Sequence, residues 1–191
     1  MLFRSLAADV ETTKRVIDAQ TGPVVVVGHS YGGAVITQAA AGSTNVKALV
    51  YVAAFAPEVG EPIGALGERY PTQLATGFRP DAAGFLYIDP AKFHELFAAD
   101  VPLAETRVAA ATQKPIIGSV FGATLDQAAW KTIPSWYIVS QDDKAINPDA
   151  ERFYAKRMNA KTKEVKASHV AFLSHPAVVA RVIEQAAAGA H

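Results

Sequence analysis

Leu6, Val10, Thr13 and Ile17 recur near helical spacing, so Ser5 to Gln20 reads as an amphipathic helix. Ser5 is its cap, and Gly22-Pro23 ends it. Val24 to Val27 is an unbroken apolar run, the pattern of a buried strand. An alanine-rich helical pattern runs from Tyr31 to about Ala41 and closes at Gly42. Val46 to Ala53 (VKALVYVA) reads as a second strand, suited by its β-branched and aromatic content to a buried parallel position.

From residue 56 to residue 131 the pattern breaks. Seven prolines, from Pro57 to Pro115, cut this stretch into short pieces. Short helices are expected over Ala91 to Ala98 and Leu103 to Thr112, with no clear strand. So long a segment exceeds an ordinary connection, and it reads as a helical insertion, a lid over an active site. Ser135 to Ser140 (SWYIVS) then resumes the buried-strand pattern. A helix over Asp149 to Asn159, a short strand over Thr162 to Lys166 and a terminal amphipathic helix over Pro176 to Ala188 complete the chain, with Ala188-Gly189-Ala190-His191 as a frayed tail. Strands alternating with helices imply an α/β fold with a parallel sheet of about four strands. Residues 1–55 and 132–191 form its two core parts, and residues 56–131 the insertion.

The junction at residue 28 carries the chemistry. The Val run leads straight into Gly28-His29-Ser30-Tyr31-Gly32, a G-x-S-x-G pentapeptide, and then into a helix. Strand, tight turn and helix are the context of a nucleophile elbow, with Ser30 at the tip. Gly28 and Gly32 are expected to keep Cβ atoms out of a space where strand and helix come close. The helix N-terminus favours negative charge developing beside the serine.

Composition narrows the alternatives. The 191 residues suffice for one domain with a substantial core, and half are hydrophobic. Eighteen basic residues balance eighteen acidic ones without a basic cluster, which argues against nucleic acid as a partner. The absence of cysteine excludes disulfides and thiolate catalysis. The five histidines show no metal-binding spacing, so neither a metal nor another cofactor is expected. The apolar runs are too short for a membrane span. Met1-Leu2-Phe3-Arg4 does not resemble the start of a secretory leader, and the expectation is a cytoplasmic protein.

A serine hydroxyl needs a base, usually a histidine oriented by a carboxylate. In a parallel sheet the strand C-terminal ends share one edge. The strand ending at Ser140 is followed by Asp142 and Asp143, and the strand ending near Lys166 by His169. Asp143 is preferred over Asp142, and His169 over His175, which precedes Pro176 and supports the last helix. His29 is expected to point away from the Ser30 face. His94 lies in the insertion, as a surface residue or a substrate contact.

The stretches GHSYGG, SWYIVSQDDKAINPDAERFYAKRM and KASHVAFLSHP resemble the α/β-hydrolase superfamily, in its branch of plant hydroxynitrile lyases, plant methylesterases and bacterial esterase-like relatives. The resemblance spans about Ser5 to Ala187. It implies Ser30 as nucleophile, His169 as base, Asp143 as its orienter and the Tyr31 N–H as one oxyanion donor. Relatives normally begin with further early strands and a His-Gly loop that gives a second oxyanion donor. The expectation is therefore an N-terminally truncated core. Its Val24 strand exposes a hydrophobic edge, open to self-association into a homo-oligomer. Loss of one oxyanion donor would cost about 10²–10³ in rate.

The resulting reading is a serine hydrolase of small carboxylic esters that works through an acyl-enzyme. Apolar insertion residues (Phe78, Phe85, Leu86, Tyr87, Phe93, Leu96, Phe97 and Phe121) are divided between packing and an apolar pocket. Two alternatives stay open. One is a hydroxynitrile-type lyase on the same triad, for which Lys144 is the nearest lysine in sequence but is expected to face solvent. The other is a ligand-binding or inactive homologue.

Overall fold

The computed structural model describes residues 5–189; residues 1–4 and the last two residues of the expected frayed tail lie outside the described residues. Helix α1 (Leu6–Asp18) starts where the Ser5 hydroxyl accepts the Ala8 N–H at 3.2 Å. Strand β1 (Val24–Ser30) leads directly into α2 (Tyr31–Ala39), and β2 (Val46–Ala54) follows. After the inserted segment come β6 (Ser135–Ser140), α5 (Pro148–Arg157), β7 (Lys161–Val165), the short α6 (Ala171–Ser174) and α7 (Pro176–Ala188). The Asn147 side chain caps α5 by accepting the Asp149 N–H at 3.0 Å, with Pro148 in the first turn.

The main sheet has the order β1-β2-β6-β7, parallel throughout. Because side chains alternate along a strand, β2 feeds two cores. Leu49 and Tyr51 pack with Ile36 and Tyr154 on the α2 and α5 side. Ala48, Val50 and Val52 pack with Val179 and Val182 of α7 on the other. β6 is buried throughout, and β2 is buried at every position but Lys47. β1 corrects the reading of the Val run as a fully buried strand and takes the edge position that the resemblance implied. It stands at the sheet edge and pairs only with β2 among the described residues, so Val24 to Val26 are half-buried and Val27 is 42% exposed.

The inserted segment contains the two expected helices, α3 (Pro90–Phe97) and α4 (Leu103–Thr112). It also contains three strands that the sequence pattern did not reveal: β3 (Phe78–Pro80), β4 (Phe85–Ile88) and β5 (Ile116–Ile117), antiparallel in that order. They are two to four residues long, too short to show a period of two. The β3–β4 turn is fixed by Asp81, whose Oδ1 accepts the Ala83 and Phe85 N–H groups at 2.9 Å each, and by Gly84 at φ 81°. Asp100, between α3 and α4, accepts the Ser168 N–H at 3.1 Å and also the Ser168 hydroxyl. The inserted segment is thereby tied to the loop that carries His169.

Candidate active site

β1, β6 and β7 bring the candidate residues to one edge of the sheet. Ser30 ends β1 at φ 53° and ψ −125°, a left-handed conformation that a serine adopts only under constraint. Its side chain does not cap α2. A Cβ on Gly28 would lie 2.7 Å from the Gly32 carbonyl oxygen, so the strand and helix do meet there. Gly32 corrects its expectation: a Cβ on it would meet nothing within 4 Å, because Gly32 faces a cavity. The crowded position is Gly33, where a Cβ would fall 2.3 Å from the Phe55 carbonyl oxygen.

His169 and Asp143 are brought together. His169 Nδ1 donates to Asp143 Oδ2 at 2.6 Å, with both side chains buried. Asp143 Oδ1 accepts the Ala145 and Ile146 N–H groups at 2.6 and 3.0 Å. Burial pushes the Asp143 carboxyl up, but the His169 charge and these hydrogen bonds outweigh it and hold it below its ordinary value. Asp142 is exposed. His175 lies elsewhere, with Nδ1 2.9 Å from Ser174 Oγ and 3.8 Å from Asp100. The other ring nitrogen of His169, Nε2, is buried and has no partner among the described residues, so no Ser30–His169 hydrogen bond is formed.

His29 departs from its expected direction. Its ring packs 4.5 Å from the His169 ring, and it lines the same cavity as Ser30. Burial, reinforced by His169, pulls its pKa down to about 3, so it is neutral. With Nε2 2.8 Å from the His169 carbonyl oxygen, that nitrogen carries the proton and donates. Tyr31 begins α2, and its hydroxyl donates to Asp9 on α1 at 3.0 Å. Lys144 Nζ turns to Glu95 on α3, 3.8 Å away. His94 Nδ1 lies 3.2 Å from the Thr106 hydroxyl and joins α3 to α4 instead of facing the cavity.

The cavity measures about 620 Å³. Ser30, His29 and Tyr31 lie at one part of its wall, and Phe55, Phe78, Leu86, Phe93, Phe97 and Phe121 are among the apolar side chains that line the rest. Of the expected apolar residues, Phe85, Tyr87 and Leu96 do not line it. Glu151 on α5 was not singled out from the sequence, yet it is fully buried behind Asp143. Only tertiary placement reveals it, since an acid in a helix otherwise reads as solvated. Among the described residues there is no group of three or more His, Asp or Glu side chains that could hold a metal ion, and no helix long and apolar enough to cross a membrane.

The sheet order, the strained serine and the strand-end edge are those of an α/β hydrolase. The alpha/beta hydrolase family matches residues 3–182, and the chain belongs to it. The alpha/beta hydrolase nvfD of Aspergillus novofumigatus is 31% identical over 196 residues, covering 94% of this chain and 77% of that protein. Among solved structures, polyneuridine aldehyde esterase superposes with a TM-score of 0.81 at 15% identity, over 97% of this chain and 80% of that one. The pyrethroid hydrolase PytH gives a TM-score of 0.77 at 20% identity, over 98% and 79% respectively. These two structures share the fold.

Proposed function

We propose that the protein is a serine hydrolase of carboxylic esters, with Ser30 as nucleophile, His169 as general base and Asp143 as its orienter. The observation that carries this reading is the buried His169–Asp143 pair, which fixes the proton on Nδ1 and leaves Nε2 unpartnered as the proton acceptor. In the proposed cycle the Ser30 hydroxyl oxygen attacks the ester carbonyl carbon and passes its proton to His169 Nε2. The Tyr31 N–H, first of α2, is the donor assigned to the oxyanion. The imidazolium then protonates the departing alcohol, and an acyl-Ser30 ester remains. Water, deprotonated by His169, attacks that ester; the Ser30 oxygen leaves, takes the proton back from His169 Nε2, and the acid is released.

The inserted segment serves as a lid in this reading, since Phe78, Leu86, Phe93 and Phe97 close the cavity from that side. A chamber of this volume lined by aromatic rings suits esters with an apolar acyl or alcohol group. The names of the related proteins, an esterase and hydrolases, point the same way.

Hydrolysis of p-nitrophenyl butyrate tests the reading. The wild type is expected to cleave it, Ser30→Ala and His169→Ala to fall to background, and Asp143→Asn to lose about 10³–10⁴-fold in kcat. A folded wild type with no turnover, or a Ser30→Ala variant that keeps it, would sink the proposal.

A further inference from the structure

Glu151 is a carboxyl in the dry interior with no cation to pair with. It is 0% exposed on α5, and its Oε2 accepts the Ser140 N–H at 2.9 Å. Its Oε1 receives no hydrogen bond from any N–H or O–H donor among the described residues. What stands against the side chain is the Asp143 carboxyl, in hydrogen-bonding contact. No cation forms an ion pair with it among the described residues, and the Arg152 charge lowers its carboxyl only as the last of the contributions. Arg152, next on the helix, gives its guanidinium to Asp149 at 2.8 Å and to Glu164 at 2.7 Å. Tyr137 on β6 gives its hydroxyl to the Ala54 carbonyl. His169 lies beyond Asp143, bonded to Oδ2.

Two touching carboxyls away from water do not both ionise, so one holds a proton. Asp143 has the donors of an anion: the Ala145 and Ile146 N–H groups on Oδ1 and His169 on Oδ2. Glu151 has only the Ser140 N–H. The proton belongs on Glu151.

We propose that Glu151 is a positioning residue for Asp143: its protonated carboxyl donates a hydrogen bond to the Asp143 carboxylate and fixes the orientation in which that carboxylate meets His169 Nδ1. The backbone supports this role. Asp143 N–H donates to the Ser140 carbonyl at 3.2 Å, so the residue whose N–H Glu151 holds also anchors the backbone of Asp143. Burial, and then the Asp143 charge, raise the Glu151 carboxyl well above its ordinary value of 4.5. The proposal rests on the Ser30–His169–Asp143 reading.

The test is the rate of fluorophosphonate labelling from about pH 5 to about pH 9, with melting curves over the same range, for the wild type, Glu151→Gln and Glu151→Leu. Glutamine reproduces a protonated glutamate in shape and in its donor. Glu151→Gln is expected to keep the plateau rate within about threefold and to keep the pH of half-maximal labelling, whereas Glu151→Leu loses about tenfold or more. Melting supplies a readout free of catalysis. A carboxyl raised in the folded state contributes stability that is present below its unfolded value and is lost as the pH climbs towards its folded value. The wild type is therefore expected to melt lower relative to Glu151→Gln by about 3 °C or more between pH 5 and pH 7.

Parallel melting curves for wild type and Glu151→Gln would overturn the protonated state. So would a shift of about one pH unit in the half-maximal labelling of Glu151→Gln, the mark of a lost charge. A folded Glu151→Leu that labels like the wild type would overturn the positioning role. If that variant does not fold, the Glu151→Gln profile and melting decide. A folded wild type that does not label overturns the Ser30 reading and, with it, any catalytic role for Glu151. The melting comparison still separates that failure from a wrong protonation state.

Discussion

At Gly33 an added methyl would lie 2.3 Å from the Phe55 carbonyl oxygen and 2.7 Å from the Ala54 Cβ, and backbone cannot yield as a flexible side chain can. Gly33→Ala is therefore expected to cost about 2–3 kcal/mol in urea unfolding, while Gly32→Ala, with nothing within 4 Å, stays within about 0.5 kcal/mol of wild type. Equal stabilities for the two variants would contradict the packing of α2 against the end of β2. The pentapeptide announced Ser30 and the tight approach at Gly28. It could not announce Gly33, which lies one position beyond the motif and is constrained by a strand that arrives from elsewhere in the chain. Asp143 and His169 were legible because each follows a strand whose C-terminal end had to reach the serine's edge. Glu151 was not, because burial of an acid is decided by what packs over it. His29 was misjudged because its direction depends on the His169 loop, which folds against it from 140 positions away.

Among the elements, β2 and β6 carry the core, and a single hydroxyl joins their ends. Tyr137 on β6 donates to the Ala54 carbonyl and accepts the Ala54 N–H at 3.0 Å, all buried. Ala54 closes β2, where Ala53 has already turned to φ 43° and the strand can no longer pair in the ordinary way. Tyr137→Phe leaves a buried N–H and C=O unpaired and is expected to cost about 2 kcal/mol by chemical denaturation. A loss below about 0.5 kcal/mol would show that the strand end finds other partners. The long elements were legible because their periods of 3.6 and 2 extend over enough residues to register, as in α1 and β2. The strands β3 to β5 were not, because Pro80, Gly84 and Pro115 flank pieces of two to four residues. The four valines of β1 alone read as a buried strand, since they say nothing about whether a neighbour stands on both sides; its edge position came from the resemblance.

For the molecule as a whole, the sheet brings Ser30, Asp143 and His169 to one edge, and the inserted segment packs over that edge. Asp100 links the two by binding Ser168, the residue before His169, so the inserted segment and the His169 loop are held by one contact network. The cavity of about 620 Å³ arises between them and belongs to neither part alone. The account stands on one central claim, that this assembly activates Ser30. Reaction of the folded wild-type chain with a fluorophosphonate, followed by peptide mapping by mass spectrometry, tests it most directly. The account predicts one covalent adduct, on the peptide that contains Ser30, lost in Ser30→Ala and in His169→Ala. A folded chain that takes up no label, or takes it up at another residue, would contradict it.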